Sequence, residues 1–353
     1  MYINSVGCNS IVKFGAMREY AMKQLGADYI ATGHYARLWH RNNGQINSRD
    51  EILQSDSSPP SFLEEALDQN PEDEWVHAWG TRKNLTNNIS PLLLAGADET
   101  KDQSYFLSGV KGTSFSNVLF PLGNLIKSVK TAEQAEQTVR EMVAEFPPSI
   151  SNKKESMGIC FIGKRNFASF VSEYLPDESI AGDFVDVDTG EIVGRHKGTA
   201  FYTIGQGARI SGAQTKWFIA GKDRNGNIFV CNDTHHPSLY SDELHIDADE
   251  FNWIAGELPR PLEEGVEMIA SCRTRHLQPL IPCVVSLRDS CVVVKFDRPV
   301  RAITEGQTAA IYAGSGLLCV GGGQILSRGE TFYELGRTLP SQLHPSGAND
   351  KSV

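Results

Sequence analysis

The chain has 353 residues, enough for two or three domains, and its 40% hydrophobic and 22% charged residues are an ordinary globular composition. No run approaches the roughly 18–20 apolar residues that a membrane helix needs, and Met1–Ser10 lacks both a charged n-region and an Arg-rich pattern, so no signal or transit peptide is expected. The net charge of -10 speaks against a nucleic-acid partner only until it is located: Asp50–Glu74 carries nine acidic residues and no Lys or Arg, and the remainder is nearly neutral.

The first element is a helix over 9–25, with Ile11, Phe14, Ala21 and Leu25 on one face, Met17 and Met22 flanking it, and Gly26 as its stop. Asp28-Tyr-Ile-Ala-Thr32 reads as a buried strand, with Gly33-His34 at its carboxyl end, the edge where open α/β sheets bind ligands. Residues 39–90 are rich in Ser, Asp, Asn, Pro and Glu and lack periodicity, which predicts a flexible acidic insertion. A helix is predicted over 131–146, with Val139, Met142, Val143 and Phe146 on one side. From about 180 the pattern turns to β, with hairpin turns at Asp188-Thr-Gly and Asn225-Gly226. Short strands near 266–273, 281–287, 291–297, 307–312 and 317–326 predict a small antiparallel barrel, and the polar tail from Leu339 is expected to be loose.

Seven cysteines, an odd number without a CxxC pair, argue against a zinc cluster, a secreted disulfide framework and a generic thiol oxidoreductase; most should be reduced and buried. Two have a reactive context. Cys8 lies just before the first helix, where the helix dipole would favour a thiolate. Cys160 lies in Ser156-Met-Gly-Ile-Cys-Phe-Ile-Gly-Lys-Arg165, where two glycines permit close approach and Lys164 and Arg165 supply positive charge. A buried structural cysteine is the competing reading for each. Thr32-Gly33-His34-Tyr35 reads as a base contact or as an ordinary strand-to-loop turn. Asp98–Tyr105 offers groups suited to phosphate and ribose, or forms a solvated loop. Arg273-Thr-Arg275-His276 could grip an RNA backbone or guard a strand edge with charge.

Read in order, Cys8-Asn…Lys13-Phe14, Leu25-Gly-Ala-Asp-Tyr-Ile-Ala-Thr-Gly-His-Tyr35, Lys101-Asp-Gln-Ser-Tyr-Phe-Leu107, Phe120-Pro-Leu-Gly123, Ser156–Gly163, Tyr202-Thr-Ile-Gly-Gln206 and Gly321-Gly-Gly-Gln-Ile-Leu326 resemble the tRNA-specific 2-thiouridylase family. Lys153–Gly158 and Gly163-Lys-Arg-Asn-Phe167 are more similar to its mitochondrial than to its bacterial members. The resemblance implies an α/β plus β architecture: a partial PP-loop ATP-pyrophosphatase domain (adenine-nucleotide α-hydrolase-like) over 1–150, a central domain over 151–245, a tRNA-binding C-terminal antiparallel β-barrel over 246–335 and a flexible tail over 336–353. It implies ATP-dependent 2-thiolation of the wobble uridine, position 34 of tRNA. In that scheme Cys160 carries sulfur as a persulfide and Cys8 completes its release, ending in a disulfide between the two. Gly33 would contact the nucleotide. His34, Lys101, Asp102, Gln103, Arg275, His276 and Gln307 would contact tRNA. ATP with Mg2+, tRNA and a sulfur-relay persulfide donor protein are the implied cofactors and partners; no metal site in the protein and no membrane are expected, the chain is expected to be a monomer, and the location is mitochondrial or otherwise cytoplasmic. Three departures stand out, one being that the Asn-Pro-Asp triplet expected upstream of Cys8 is not recognisable in Met1–Gly7. The Ser-Gly-Gly-x-Asp-Ser phosphate loop with which the family opens is not among these residues, which predicts an N-terminally truncated member, and Gly207 stands where a basic residue usually follows Gln206. The alternative reading is a catalytically inactive tRNA-binding remnant.

Overall fold

A computed structural model describes residues 5–39, 91–127, 138–151, 153, 170, 173, 181–313 and 316–343. The chain packs as two compact units, the first made of 1–155, 246–295 and 306–326, the second of 156–245, 296–305 and 327–353.

Ser5–Gly7 is α-helical, Cys8–Met17 continues in wide π turns, and Arg18–Gln24 returns to α geometry before Gly26. Among the described residues Cys8 therefore lies in the first turn of a helical stretch rather than ahead of one, which corrects its position relative to the helix start. The expected apolar face is also corrected. Phe14 is buried, but Ile11 and Leu25 are exposed. Hydrogen bonds spanning five residues, and the non-helical Gly15 at φ −98°, ψ −106°, shift the phase that a 3.6-residue repeat assumes.

Four short strands follow: β1 (Ile30–Ala31), β2 (Ala36–Trp39), β3 (Leu92–Ala95) and β4 (Val118–Leu119). β1 and β4 pair in parallel, Ile30 opposite Val118. β1 is less buried than its apolar run predicts, with Ala31 exposed. β2 and β3 pair antiparallel from Ala36↔Ala95 to Trp39↔Leu92. The acidic insertion thus leaves and re-enters through neighbouring strands. Its ends are held together by the ladder, and loop-closure entropy grows only slowly with the length between them. Residues 40–90 themselves lie outside the described residues.

Of the helix predicted over 131–146, residues 131–137 lie outside the described residues, and among the described ones Val139–Met142 is α-helical. Thr138 is extended, and its hydroxyl accepts from the Glu141 amide in a capping box, so a helix starts after it. Met142 and Phe146 are exposed.

The second unit contains β5 (Gly182–Asp186), β6 (Ile192–His196), β7 (Gly207–Ala208), β8 (Trp217–Lys222) and β9 (Ile228–Cys231), in sheet order β6-β5-β9-β8-β7. Both predicted hairpin turns occur. The Asp186 carboxylate accepts from the Asp188 amide and Thr189 hydroxyl, and Asp223 from the Asn225 and Asn227 amides. Phe184, Ile219, Ile228 and Val230 form the core beneath. Leu339, read as the start of a loose tail, is buried in another cluster of this unit with Tyr240 and Phe332.

The remaining strands are β10 (Tyr240–Asp247), β11 (Asn252–Trp253), β12 (Met268–Arg273), β13 (Ile281–Arg288), β14 (Cys291–Arg301), β15 (Thr308–Tyr312) and β16 (Leu318–Arg328). The order β10-β14-β13-β12-β15-β16 is closed by β10–β16 pairing, giving a six-strand antiparallel barrel. All five strands predicted after residue 265 are present. β16 also pairs with β3, so the sheet continues from the barrel into β3 and β2. Phe14, Leu93, Tyr105, Leu107 and Phe115 share one core with Ala310, Tyr312 and Cys319. Within the Gly321-Gly-Gly run, a Cβ on Gly322 would lie 2.5 Å from Ser108 Oγ, so glycine lets the 104–108 turn approach the barrel wall.

Candidate functional site

The turn Gln103–Leu107 is the centre to which the singled-out residues of the first unit connect. Gln103 is tied to Tyr35 twice: its Oε1 accepts from the Tyr35 amide at 3.1 Å, and its amide donates to the Tyr35 carbonyl at 2.8 Å. This places Thr32-Gly33-His34-Tyr35 beside Lys101-Asp102-Gln103. On the other side His276 Nε2 donates to the Asp102 carbonyl at 2.9 Å, and its ring lies against Phe106 with centroids 4.2 Å apart. Tyr105 donates through its hydroxyl to the Thr308 carbonyl at 2.9 Å, next to Gln307. Asn9, adjacent to Cys8, donates from Nδ2 to the Phe106 carbonyl at 3.0 Å. The helix of Cys8, the loop after β1, the 101–107 segment and two barrel strand ends therefore form one connected group.

Asp102 is 2% exposed and both its oxygens are engaged. Oδ1 accepts from the Gly96 and Ser104 amides, each at 3.0 Å; Oδ2 accepts from Ser104 Oγ at 2.8 Å and from Arg273 Nη1 at 3.2 Å. With the Ser104 proton given to Asp102, Tyr312 donates its hydroxyl to Ser104 Oγ at 2.9 Å. The Arg273 guanidinium also lies over the Tyr312 ring, 5.1 Å from its centroid. Arg273 is thus neither a guard on an exposed edge nor open to RNA: it is the counter-charge of a buried carboxylate.

His34 is 8% exposed and packed by Phe14 and Phe120, each with centroids 5.6 Å away. Thr32 Oγ1 lies 2.7 Å from its Nδ1, and Lys13 Nζ lies 3.4 Å from its Nε2. An ammonium has no lone pair, so Nε2 is the acceptor and Nδ1 carries the proton toward Thr32. Burial, then the Lys13 charge, push this imidazole down to about 4, and it is neutral at physiological pH. Burial likewise lowers His276.

Lys101, Gln103, Arg275, His276 and Gln307 are half-buried, and Gly33 is exposed at the carboxyl end of β1. A Cβ on Gly33 would meet only Leu122 at 3.7 Å, so this edge is open enough for a nucleotide to pass close to the backbone. Asp98, by contrast, caps its own loop: Oδ1 accepts from the Thr100 amide and hydroxyl, and Oδ2 from the Lys127 amide. Cys8 is a half-buried free thiol, whereas Cys231, Cys272, Cys283 and Cys319 are buried free thiols. Burial pushes Cys231 up to about 11 and raises Cys272 and Cys319 as well, which fits inert core residues. Cys160 and its flanking motif lie outside the described residues. In the second unit Arg301 donates to the carbonyls of Thr234 at 2.9 Å and Gly205 at 3.1 Å, fixing the Tyr202–Gln206 motif.

The sequence reading missed Asn9, Lys13, Tyr35, Tyr105, Phe106 and Tyr312 as parts of this group. Lys13 and Ser104–Phe106 lay within recognised motifs, so the signal was present; Tyr312 carried none, because its role depends on a contact across 208 positions.

Three family models cover most of the chain. They are a tRNA methyl transferase HUP domain at residues 4–58 and 61–164, a tRNA methyl transferase PRC-barrel domain at 168–232, and an aminomethyltransferase beta-barrel domain at 243–325. The mitochondrial tRNA-specific 2-thiouridylase 1 of Gallus gallus is 37% identical over 330 residues, covering 93% of this chain and 71% of that protein. The Homo sapiens protein of the same name is 36% identical, covering 93% and 70%. The tRNA-specific 2-thiouridylase MnmA of Bacillus subtilis is 36% identical over 322 residues, covering 90% and 69%.

Proposed function

Since the chain belongs to the tRNA-specific 2-thiouridylase family, we propose that it replaces the 2-oxygen of the wobble uridine of tRNA with sulfur. The observation that carries this reading is the single group that joins the Cys8 helix, the Gly33 edge, the Lys101–Gln103 segment and the Arg275–His276 strand end. The helix that bears a thiol, the exposed Gly33 backbone and the segments of half-buried Lys101 and Arg275 are linked there, a combination that sulfur transfer to an RNA base would use.

ATP supplies the activation, converting O2 of the uridine into a leaving group that departs as AMP. The terminal sulfur of a Cys160 persulfide attacks C2 and displaces it, losing its proton. The Cys8 thiolate then attacks Cys160 Sγ. That breaks the sulfur–sulfur bond, leaves the transferred sulfur on the base and forms a Cys8–Cys160 disulfide, which a thiol reductant must later open. A persulfide donor protein reloads Cys160. Lys101, Arg275 and Gln307 contact the RNA, while Asp102, Gln103, His34 and His276 hold those contacts in position by their internal bonds. The names of the relatives support a mitochondrial location.

The test is thiolation of unmodified tRNA with Mg-ATP and a persulfide donor, read on a mercury-containing gel that retards thiolated RNA. The native chain should retard the RNA and Cys160→Ser should abolish the shift. Retardation surviving that substitution overturns the assignment of the carrier. No shift from a native chain that still binds tRNA replaces the enzyme by a binding remnant.

A further inference from the structure

The Lys13 ammonium of this group meets a neutral ring rather than a carboxylate among the described residues. It is half-buried on the wide-turn helix, five residues after Cys8. Its polar neighbour is the acceptor nitrogen of His34 at 3.4 Å, and among the described residues no carboxylate meets it. His34 is itself locked. Thr32 takes its other nitrogen at 2.7 Å, and Phe14 and Phe120 flank the ring. A buried imidazole that accepts from a lysine fixes where the ammonium points. It does not neutralise the charge, and its lone pair replaces only one of the three waters an ammonium binds.

The position matters as much as the charge. His34 lies on the loop leaving the carboxyl end of β1. β4 runs parallel to β1 and leads into Phe120 at the same edge. Ligands of parallel α/β sheets bind outside that edge. Exposed Gly33, one residue before His34, leaves the backbone there accessible. A partly desolvated cation without an anion raises the free energy of the unliganded protein, and an incoming anion relieves it. Arg273 shows the contrasting case in the same unit, where an internal carboxylate answers the cation.

We propose that Lys13 is a phosphate-binding residue of the reaction site, its ammonium aimed by neutral His34 at a phosphate group of the substrates. The inference rests on the family reading above. Two substrates carry that group: the nucleotide, through its α-phosphate, and tRNA, through a phosphodiester beside the target base. Lysine suits either as a compact point charge.

The experiment compares the full chain with Lys13→Met and Lys13→Arg. One arm measures tRNA affinity over a salt series. The other measures binding of AMP and of adenosine, which differ only by the phosphate. If the phosphate is the nucleotide's, Lys13→Met weakens AMP binding by roughly tenfold or more and leaves adenosine unchanged. If it is the RNA's, tRNA affinity falls and the slope of log K against log salt drops by about 0.7–0.9, one phosphate contact. Lys13→Arg restores most of the lost affinity in either case. Unchanged AMP binding together with an unchanged tRNA salt slope in Lys13→Met overturns the inference while leaving the family reading intact. A native chain that binds neither tRNA nor AMP overturns both.

Discussion

Two cations of the first unit illustrate opposite uses of the same charge. Arg273, its side chain 11% exposed, pairs with buried Asp102, whose remaining lone pairs are filled by two amides and a hydroxyl. Lys13 is half-buried against a neutral ring and meets no carboxylate among the described residues. The first arrangement has its counter-charge built in, although Arg273 Nε is left without a hydrogen-bond partner, and therefore serves the framework. The second is incomplete and therefore serves binding. A motif match assigns charged residues to RNA without distinguishing these cases; the partner of each charge does.

The largest effect follows from breaking the completed pair. Asp102→Ala leaves the Arg273 charge and the Gly96 and Ser104 amides without their acceptor, so a loss of about 3–5 kcal/mol in unfolding free energy is expected. Arg273→Met leaves the carboxylate three of its donors and should cost less than Asp102→Ala. Denaturant unfolding of both variants measures this, with the double replacement Asp102→Ala, Arg273→Met losing less than the sum of the singles. A loss below about 1 kcal/mol for Asp102→Ala, the value of an ordinary hydrogen bond, would move Asp102 back among the direct RNA contacts.

A smaller effect comes from His34, and it depends on pH. Its ordinary value is 6.5, and in the fold it is pushed down to about 4. Between those values the unfolded chain binds a proton that the folded chain refuses, so stability falls as pH drops below 6.5 and levels off near 4. By pH 5 the loss due to this group should reach about 2 kcal/mol. His34→Gln removes the titration, and its unfolding free energy should decline less than the native chain's between pH 7 and pH 5. Parallel decline of the two curves would mean that His34 is solvated and does not orient Lys13.

Legibility in the sequence tracked the range of the interactions. The strands from Met268 to Arg328 were visible because alternation and Gly or Pro breaks are local, and the two hairpins because Asp-Thr-Gly and Asn-Gly turns carry their own hydrogen bonds. The helix face failed because π turns around Gly15 break the assumed period. The Thr138 cap was legible as Thr-x-x-Glu yet lay within a longer apolar pattern that outvoted it. For the site, the motif residues were found but their burial was not. Asp102 and Arg273 lie 171 positions apart, and nothing local distinguishes a paired arginine from one that faces solvent. The role of Cys8 could be carried over by resemblance, whereas its place within the helix depended on backbone geometry upstream of it.

The smallest effect is the sharpest test of the contrast. If Lys13 lacks an internal counter-charge, replacing it removes no stabilising ion pair. Lys13→Met removes a partly desolvated charge and, in opposition, the donor to His34 Nε2, so the unfolding free energy at pH 7 should change by no more than about 0.5 kcal/mol, although the residue is half-buried. The substitution also removes one of the two causes that hold His34 low. Burial remains the larger cause, so His34 stays below 6.5, but its midpoint rises and the stability lost between pH 6.5 and pH 5 shrinks. Stability curves of Lys13→Met and of the native chain across that window measure both quantities together. Unchanged stability at pH 7 with a flatter acid limb places the ammonium beside the imidazole without an internal anion. A loss of about 2 kcal/mol or more at pH 7 would instead reveal a buried partner for Lys13, and the two cations would then serve the same framework role.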